Sequence, residues 1–243
     1  MTNSIFFIAD LHLDDSRPDI VSIFLKFLHQ NVVHSKALYI LGDFFETWIG
    51  DDHDTPLHHS IICALRNLRA QGTLIYIMRG NRDFLLGKQF MRQASCQLLP
   101  DEHVIFLGNQ RTLLMHGDTL CTKDIKYLQF RKRAHNFFVQ KLFLLKSLSK
   151  RKQIAQQARK MSYDHVSSTT PEIMDVTQEE VERVMTHHHV AHLIHGHTHR
   201  PEVHHFILHE KPATRTVLAP WHDHGSALRY DEERDTQEFL KIT

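Results

Sequence analysis

The sequence predicts an α/β fold of layered sheets, and three observations carry that prediction. Five short apolar runs, at residues 4–9, 37–41, 74–78, 112–115 and 190–194, read as buried strands. Helically spaced segments separate the first three, and strand–helix–strand alternation is the pattern of parallel pairing within layers. Each run also stops on side chains that bind hard or borderline cations, so a site is expected along the carboxyl edge of the sheets.

The first run leads into Asp10-Leu-His12. Residues 18–32 then repeat apolar positions at Ile20, Ile23, Phe24, Phe27 and Leu28, which is helical spacing. The second run ends on Gly42-Asp43, and a loop through Gly50-Asp-Asp-His-Asp54 follows close to the site; its carboxylates either assist there or, as the favoured reading, are solvated. A helix over 56–70 stops at Gly72, and the third run delivers Gly80-Asn-Arg-Asp83. Residues 84–94 are expected to be helical. Residues 104–107 and 112–115 read as a hairpin turning at Gly108-Asn109 and ending on His116-Gly-Asp118. After a helix over 177–185, the last run leads into His195-Gly-His-Thr-His-Arg-Pro201, where Gly196 is expected to turn the backbone so that His197 and His199 leave one loop on the same side. Strands at 202–208, 214–218, 227–230 and 238–242 would complete a second sheet by hairpins.

Residues 124–171 break the alternation and read as two or three helices, with Phe130, Phe137, Phe138, Leu142, Leu145 and Leu148 at helical intervals. Between residues 125 and 163 there are eleven Lys or Arg and no acid, while the remaining chain has 18 basic and 28 acidic residues. A basic amphipathic insertion suits an anionic surface; the plainer alternative is a helical hairpin packed on its own domain with a solvated charged face.

Seven side chains, Asp10, His12, Asp43, Asn81, His116, His197 and His199, suggest a two-cation site. Asp43 can give one oxygen to each ion; Asp10, His12 and His199 would complete one, and Asn81, His116 and His197 the other. Nitrogen and oxygen donors without thiolate suit two Mn²⁺, with Fe²⁺ or Zn²⁺ as competitors. Water between two such ions loses a proton readily, which implies hydrolysis of a phosphate ester or anhydride.

In order and content these motifs resemble the calcineurin-like metallophosphoesterases, whose pattern is Asp-x-His, Gly-Asp, Gly-Asn-His-(Asp/Glu), His and Gly-His-x-His. The resemblance covers nearly the whole chain and implies a four-layer αββα sandwich of two mixed sheets at 1–123 and 172–243, with a helical lid at 124–171. One departure is Arg82, where most relatives carry His. A diphosphate leaves as a phosphate monoester with a second pKa of about 6 and needs no proton donor. A fixed guanidinium can serve there instead, so Arg82 favours a diphosphate substrate; its structural alternative is an ion pair with Asp83.

Further stretches, among them Trp48-Ile-Gly-Asp-Asp52, Gly80-Asn-Arg-Asp-Phe-Leu-Leu-Gly-Lys88 and Met115-His-Gly-Asp-Thr-Leu-Cys121, are similar to the UDP-2,3-diacylglucosamine pyrophosphohydrolases of lipid A synthesis. That likeness implies attack at the α-phosphorus, giving UMP and 2,3-diacylglucosamine 1-phosphate. It implies Asp43, Asn81, Arg82 and His116 as catalytic groups. Asn81, Arg82, His197, Asp124 and Ser162 would be the substrate contacts. It further implies a lid whose apolar face holds acyl chains and whose charges meet anionic head groups. The family usually offers polar or basic side chains where this chain has Val166 and Thr169.

Size and composition agree with one elaborated domain: 243 residues, 42% hydrophobic and 23% charged. Cys63, Cys96 and Cys121 fit neither a disulfide framework nor a thiolate zinc motif and are expected to be reduced packing residues. The first apolar run ends on Asp10 and His12 without a basic leader, so no signal peptide is expected, and the chain should work in the cytosol, peripherally on the cytoplasmic face of the inner membrane. No obligate protein partner is expected, and the chain should be a monomer. A calcineurin-like nuclease or nucleotide phosphodiesterase is the competing enzyme. It should interleave stacking aromatics with its charges, whereas the insertion interleaves Phe with Leu, so no nucleic acid is expected. A non-catalytic binding module would tolerate loss of ligands, and none of the seven is missing.

Overall fold

A computed structural model describes residues 2–170 and 172–243. Strands β1 (Thr2–Ile8), β2 (Ser35–Leu41), β3 (Leu74–Met78) and β4 (Gln97–Leu98) pair in parallel, and β10 (Gly225–Asp231) and β11 (Thr236–Ile242) extend them antiparallel in the order β11-β10-β1-β2-β3-β4. The strands expected at 227–230 and 238–242 therefore join the first sheet and not the second, because β10 pairs with the free edge of β1. A second mixed sheet has the order β5-β6-β7-β9-β8, formed by β5 (Glu102–Leu107), β6 (Gln110–Met115), β7 (His192–His195), β8 (Glu202–Leu208) and β9 (Lys211–Val217).

Side-chain alternation along the strands builds the layers. Phe6, Ile8, Leu38, Ile40, Ile75 and Ile77 face one way, into a cluster with Phe24 and Phe27 of α1 (Pro18–Phe27), Ile61 and Leu65 of α2 (Pro56–Ala70) and Phe90 of α3 (Lys88–Ala94). Their neighbours Ile5, Phe7, Tyr39 and Met78 face the other way and meet Leu107, Leu114 and Ile194 between the two sheets. On the far side, Leu113, Met115 and Leu193 cover Val181, Val184 and Met185 of the helix we number α7 (Gln178–His187). The order is helix, sheet, sheet, helix: the expected αββα sandwich.

Local chemistry sets the boundaries. Pro56 occupies the first turn of α2, and Thr55 accepts from the His58 N–H as its cap. The helix expected over 18–32 is α-helical to Phe27 and finishes as a π turn over Leu28–Val32. The helix expected from residue 84 begins only at Lys88, because the Asp51 carboxylate accepts N–H groups from Gly87, Gln89 and Phe90 and fixes its start there. Asp51 is therefore a capping anion rather than a solvated loop carboxylate.

Between the sheets' strands and α7 the chain forms α4 (Ile125–Ala134), α5 (Phe137–Leu144) and α6 (Leu148–Ser168). Helices α4 and α5 contribute no buried residue. Among the described residues no helix is long and apolar enough to cross a membrane. Pro171, at the expected end of the insertion, and the side chain of Val166 lie outside the described residues.

Candidate dimetal site

The five strand ends converge at one edge. Asp10 follows β1, Asp43 follows β2, Asn81 follows β3, His116 follows β6, and His197 and His199 follow β7. Backbone bonds lock the loops together: Asp10 N–H donates to Gly42 O, His12 N–H to Asp43 O, Gly196 N–H to His116 O and Trp221 N–H to Asp10 O. Five of the seven candidate ligands, Asp10, His12, Asp43, His197 and His199, hold positive φ, between 49° and 71°. Such backbone costs about 1–2 kcal/mol per residue outside glycine, and Asp and His tolerate it better than most.

The turn after β7 is made differently from the sequence expectation. Gly196 does not carry positive φ; His197 and His199 do. Gly196 is needed for space, because a Cβ there would lie 2.4 Å from Asp10 Oδ2 and 2.6 Å from Ala9 Cβ. Gly42 meets both demands, with φ +92° and a Cβ position 2.5 Å from His116 Nδ1.

The side chains form two adjoining groups. One ligand atom each from Asp10, His12 and His199 lies within 4.8 Å of the others, and the same is true of Asp10, Asp43 and His116. Asp10 is thus common to both groups, where the sequence reading placed it in one. Asp43 turns Oδ2 toward His12 Nε2 at 3.8 Å and Oδ1 toward His116 Nε2 at 3.7 Å. Asn81 Oδ1 lies 2.9 Å from both His116 Nε2 and His197 Nδ1. All seven candidates are therefore brought together.

Electrostatics and satisfaction both fit cations. His116 donates Nδ1–H to Leu41 O, which leaves Nε2 facing the site. Burial opposes its charge, but Asp43, Asp10 and Asp118 outweigh that and raise it to about 9. Burial likewise opposes ionisation of Asp10, yet His199, His116 and His12 hold its carboxyl below the usual range. Burial and then the Asp43 charge raise Asp83 to about 6, against the N–H groups it accepts from Gly80, Phe44 and Phe45. Asp10 Oδ1 and His12 Nε2 are buried with no hydrogen-bond partner among the described residues. Leaving such atoms unmade is costly, and a cation between them would satisfy both.

Arg82 sits at the rim. Its backbone N–H donates to Asp43 Oδ1 at 2.8 Å, and its Nε is buried without a hydrogen-bond partner among the described residues. Among the described residues no ion pair joins Arg82 to Asp83, whose oxygens accept backbone N–H groups of Gly80, Phe44 and Phe45. On the insertion, Asp124 caps α4 by accepting from Tyr127 N–H and receives His165 Nε2 at 2.9 Å. Ser162 is half-buried on α6, three residues before His165. The Thr169 hydroxyl donates to His165 O within its own helix turn.

Sequence reading missed several neighbours. Asp118 is buried and accepts from Tyr127 Oη and Arg131 Nε of α4, and the Tyr127 ring lies 6.1 Å from that of His197. Behind the last loop, His195 donates Nδ1–H to Gly196 O and accepts from Arg215. Burial and the Arg215 charge push His195 down to about 3, so it stays neutral. The His116-Gly-Asp118 motif held a signal for Asp118; nothing nearby in sequence marks Arg215.

The model of calcineurin-like phosphoesterases matches residues 4–201, the span that supplies all seven candidate ligands. The chain belongs to that family. It is 49% identical over 231 residues, 94% of its own length and 95% of the relative's, to a UDP-2,3-diacylglucosamine hydrolase of Pseudomonas entomophila. Against the protein of that name in Azotobacter vinelandii it is 50% identical over 92% of its length and 93% of the relative's. A solved archaeal phosphodiesterase superposes with a TM-score of 0.50 at 10% identity, covering 98% of this chain and 99% of that one, a likeness of fold.

Proposed function

We propose that the chain hydrolyses the pyrophosphate bond of UDP-2,3-diacylglucosamine in lipid A synthesis, water attacking the α-phosphorus to give UMP and 2,3-diacylglucosamine 1-phosphate. The observation that carries this reading is the convergence of the seven candidate ligands beside Arg82, a guanidinium whose buried Nε has no hydrogen-bond partner among the described residues and which stands where relatives of the wider family place a histidine.

Asp10, His12 and His199 would hold one divalent ion and Asn81, His116 and His197 the other, with Asp43 giving an oxygen to each; the donors suit Mn²⁺. When bound, such a pair acidifies a water and draws charge from phosphate oxygens. The protein's own groups then position the diphosphate. Arg82 offers paired N–H donors to its non-bridging oxygens and stabilises charge as the bond breaks. The departing phosphate monoester, with a second pKa of about 6, needs no acid. Asp124 and Ser162 would meet the sugar phosphate from the insertion, acting as a lid; the lone pairs of Asp124 not used by Tyr127 and His165 remain to accept from an O–H or N–H of the sugar. Phe137, Phe138, Leu142 and Leu145 stand exposed on and just after α5 and would receive acyl chains or the bilayer, while flanking lysines meet anionic head groups at the cytoplasmic face of the inner membrane.

Incubation with UDP-2,3-diacylglucosamine and Mn²⁺ in ¹⁸O-labelled water tests the reading. Label in UMP is the expected outcome. Label in the lipid phosphate would move the attack to the other phosphorus, and no cleavage of this substrate by metal-loaded protein would sink the proposal.

A further inference from the structure

Glu46 is a side chain at which the insertion meets the cation site and which the hydrolytic mechanism does not use. Its backbone is fixed relative to His12: His12 N–H donates to Asp43 O at 3.0 Å, Leu13 N–H to Phe44 O at 3.0 Å, and Glu46 N–H to Leu13 O at 3.1 Å. This short ladder sets Glu46 beside the imidazole, and His12 Nδ1 lies 2.7 Å from Glu46 Oε2. A carboxylate at that contact accepts, so the proton sits on Nδ1 and the Nε2 lone pair is left open. That Nε2 is the buried atom with no partner, 3.8 Å from Asp43 Oδ2.

The second oxygen faces the other way. Glu46 Oε1 pairs with Arg159 Nη2 of α6, and Arg159 Nη1 donates to the Glu46 backbone O at 2.6 Å and to Thr47 Oγ1 at 3.3 Å. Arg159 lies one turn before Ser162 on the same helix. The glutamate therefore touches, through different oxygens, a candidate cation ligand and the helix that carries a candidate substrate contact.

We infer that Glu46 is a positioning residue with two separable tasks: Oε2 holds His12 in the tautomer and orientation that aims Nε2 at a cation, and Oε1 seats α6 through Arg159. The inference rests on the dimetal reading above. Its consequence is registration. The helix expected to grip the sugar phosphate is held to the body by Arg151 on Asp52 and Ile49 as well, and Glu46 adds the contact that indexes it to a ligand of the centre expected to cleave.

Substitution separates the two oxygens. Glutamine keeps a carbonyl oxygen able to accept from His12 but turns an amide N–H₂ toward Arg159 Nη2, where donor meets donor; alanine removes both side-chain contacts, and in either variant Arg159 Nη1 keeps the backbone O of residue 46 and Thr47 Oγ1. Mn²⁺ affinity is read from free-ion electron paramagnetic resonance, and seating of α6 from amide hydrogen exchange over 148–168. Glu46→Ala should weaken Mn²⁺ binding by about 10–100-fold, the usual effect of losing such an outer partner, and should speed α6 exchange. Glu46→Gln should recover most of the affinity while α6 exchanges as fast as in the alanine variant. Unchanged affinity in Glu46→Ala would overturn the first task. Gln as weak as Ala would do the same, since charge rather than orientation would then be acting. Wild-type protection of α6 in Glu46→Gln would overturn the second task. Failure of the wild-type chain to bind Mn²⁺ at all would bring down the dimetal reading and this inference together, whereas binding without these differences removes the inference alone.

Discussion

The sandwich and the inserted helices are held by different forces. In the sandwich, Phe24, Phe27 and Trp221 meet edge to face with ring centroids 5.7–6.1 Å apart where they contact Trp221, and Phe24 and Phe27 have no exposed surface. Burial of that kind contributes about 1.5–3 kcal/mol per side chain. In α5 and just beyond it the apolar side chains face outward: Phe137 is 68% exposed, Phe138 71% and Leu145 76%. Paired charges attach the insertion instead, Arg131 to Asp118 and Asp101, Arg151 to Asp52, and Arg159 to Glu46. Phe143 adds contact with the outer cluster. The contrast teaches that a basic segment can divide its charges: a few arginines turn inward as bolts, which leaves the apolar face free for something other than the protein's own core.

The largest expected effects test the body's end of this contrast. Asp43→Ala should abolish both cation binding and turnover, while Arg82→Ala should lower turnover by roughly 10²–10³-fold with cation binding intact; loss of cations from the Arg82 variant would show that it supports the site rather than the substrate. Next in size is stability. By denaturant unfolding, Phe24→Ala should cost about 3–5 kcal/mol, and Phe138→Ser should stay within about 0.5 kcal/mol yet weaken partition onto anionic vesicles. Comparable costs for the two would erase the distinction between packed and offered aromatics.

The smallest effect concerns acid. Burial lowers His58, which packs against Trp48 in the body, and burial followed by the Arg131 charge lowers His135, stacked on Phe84 at the end of α4. With folded values below the ordinary 6.5, the unfolded chain binds more protons just under that pH, so stability falls as pH drops through about 6.5. Melting temperatures between pH 7 and 5 should decline less steeply in His58→Gln; an unchanged slope would mean that His58 does not contribute.

Much of the candidate site was legible because its candidate ligands sit where strands stop. A strand ending in Asp10-Leu-His12 or Gly42-Asp43 announces both an element boundary and a donor, and the order of motifs supplied the rest. In the loop at Gly50–Asp54 the expectation of solvated carboxylates holds for the exposed Asp52 and Asp54 and fails for Asp51, which finds its N–H partners near residue 88; exposed as it is, Asp52 also pairs with Arg151 about a hundred positions away. The same holds for Glu46 with His12 and Arg159. Composition described these side chains as charged, and charge alone does not say whether the partner is water or a distant guanidinium. Strand β4, two residues long, was too short to leave a periodic trace.

The sequence by itself determined the layered architecture, the seven donors and the place of Arg82, because side-chain periodicity and strand-end chemistry are local properties of the chain. Only the tertiary structure decided that Asp10 lies within reach of both groups, that Gly196 gives room while His197 and His199 bear the turn, and that Glu46 and Asp118 tie the insertion to the site. Those outcomes depend on distances between residues far apart in sequence, which folding fixes and spacing along the chain does not encode.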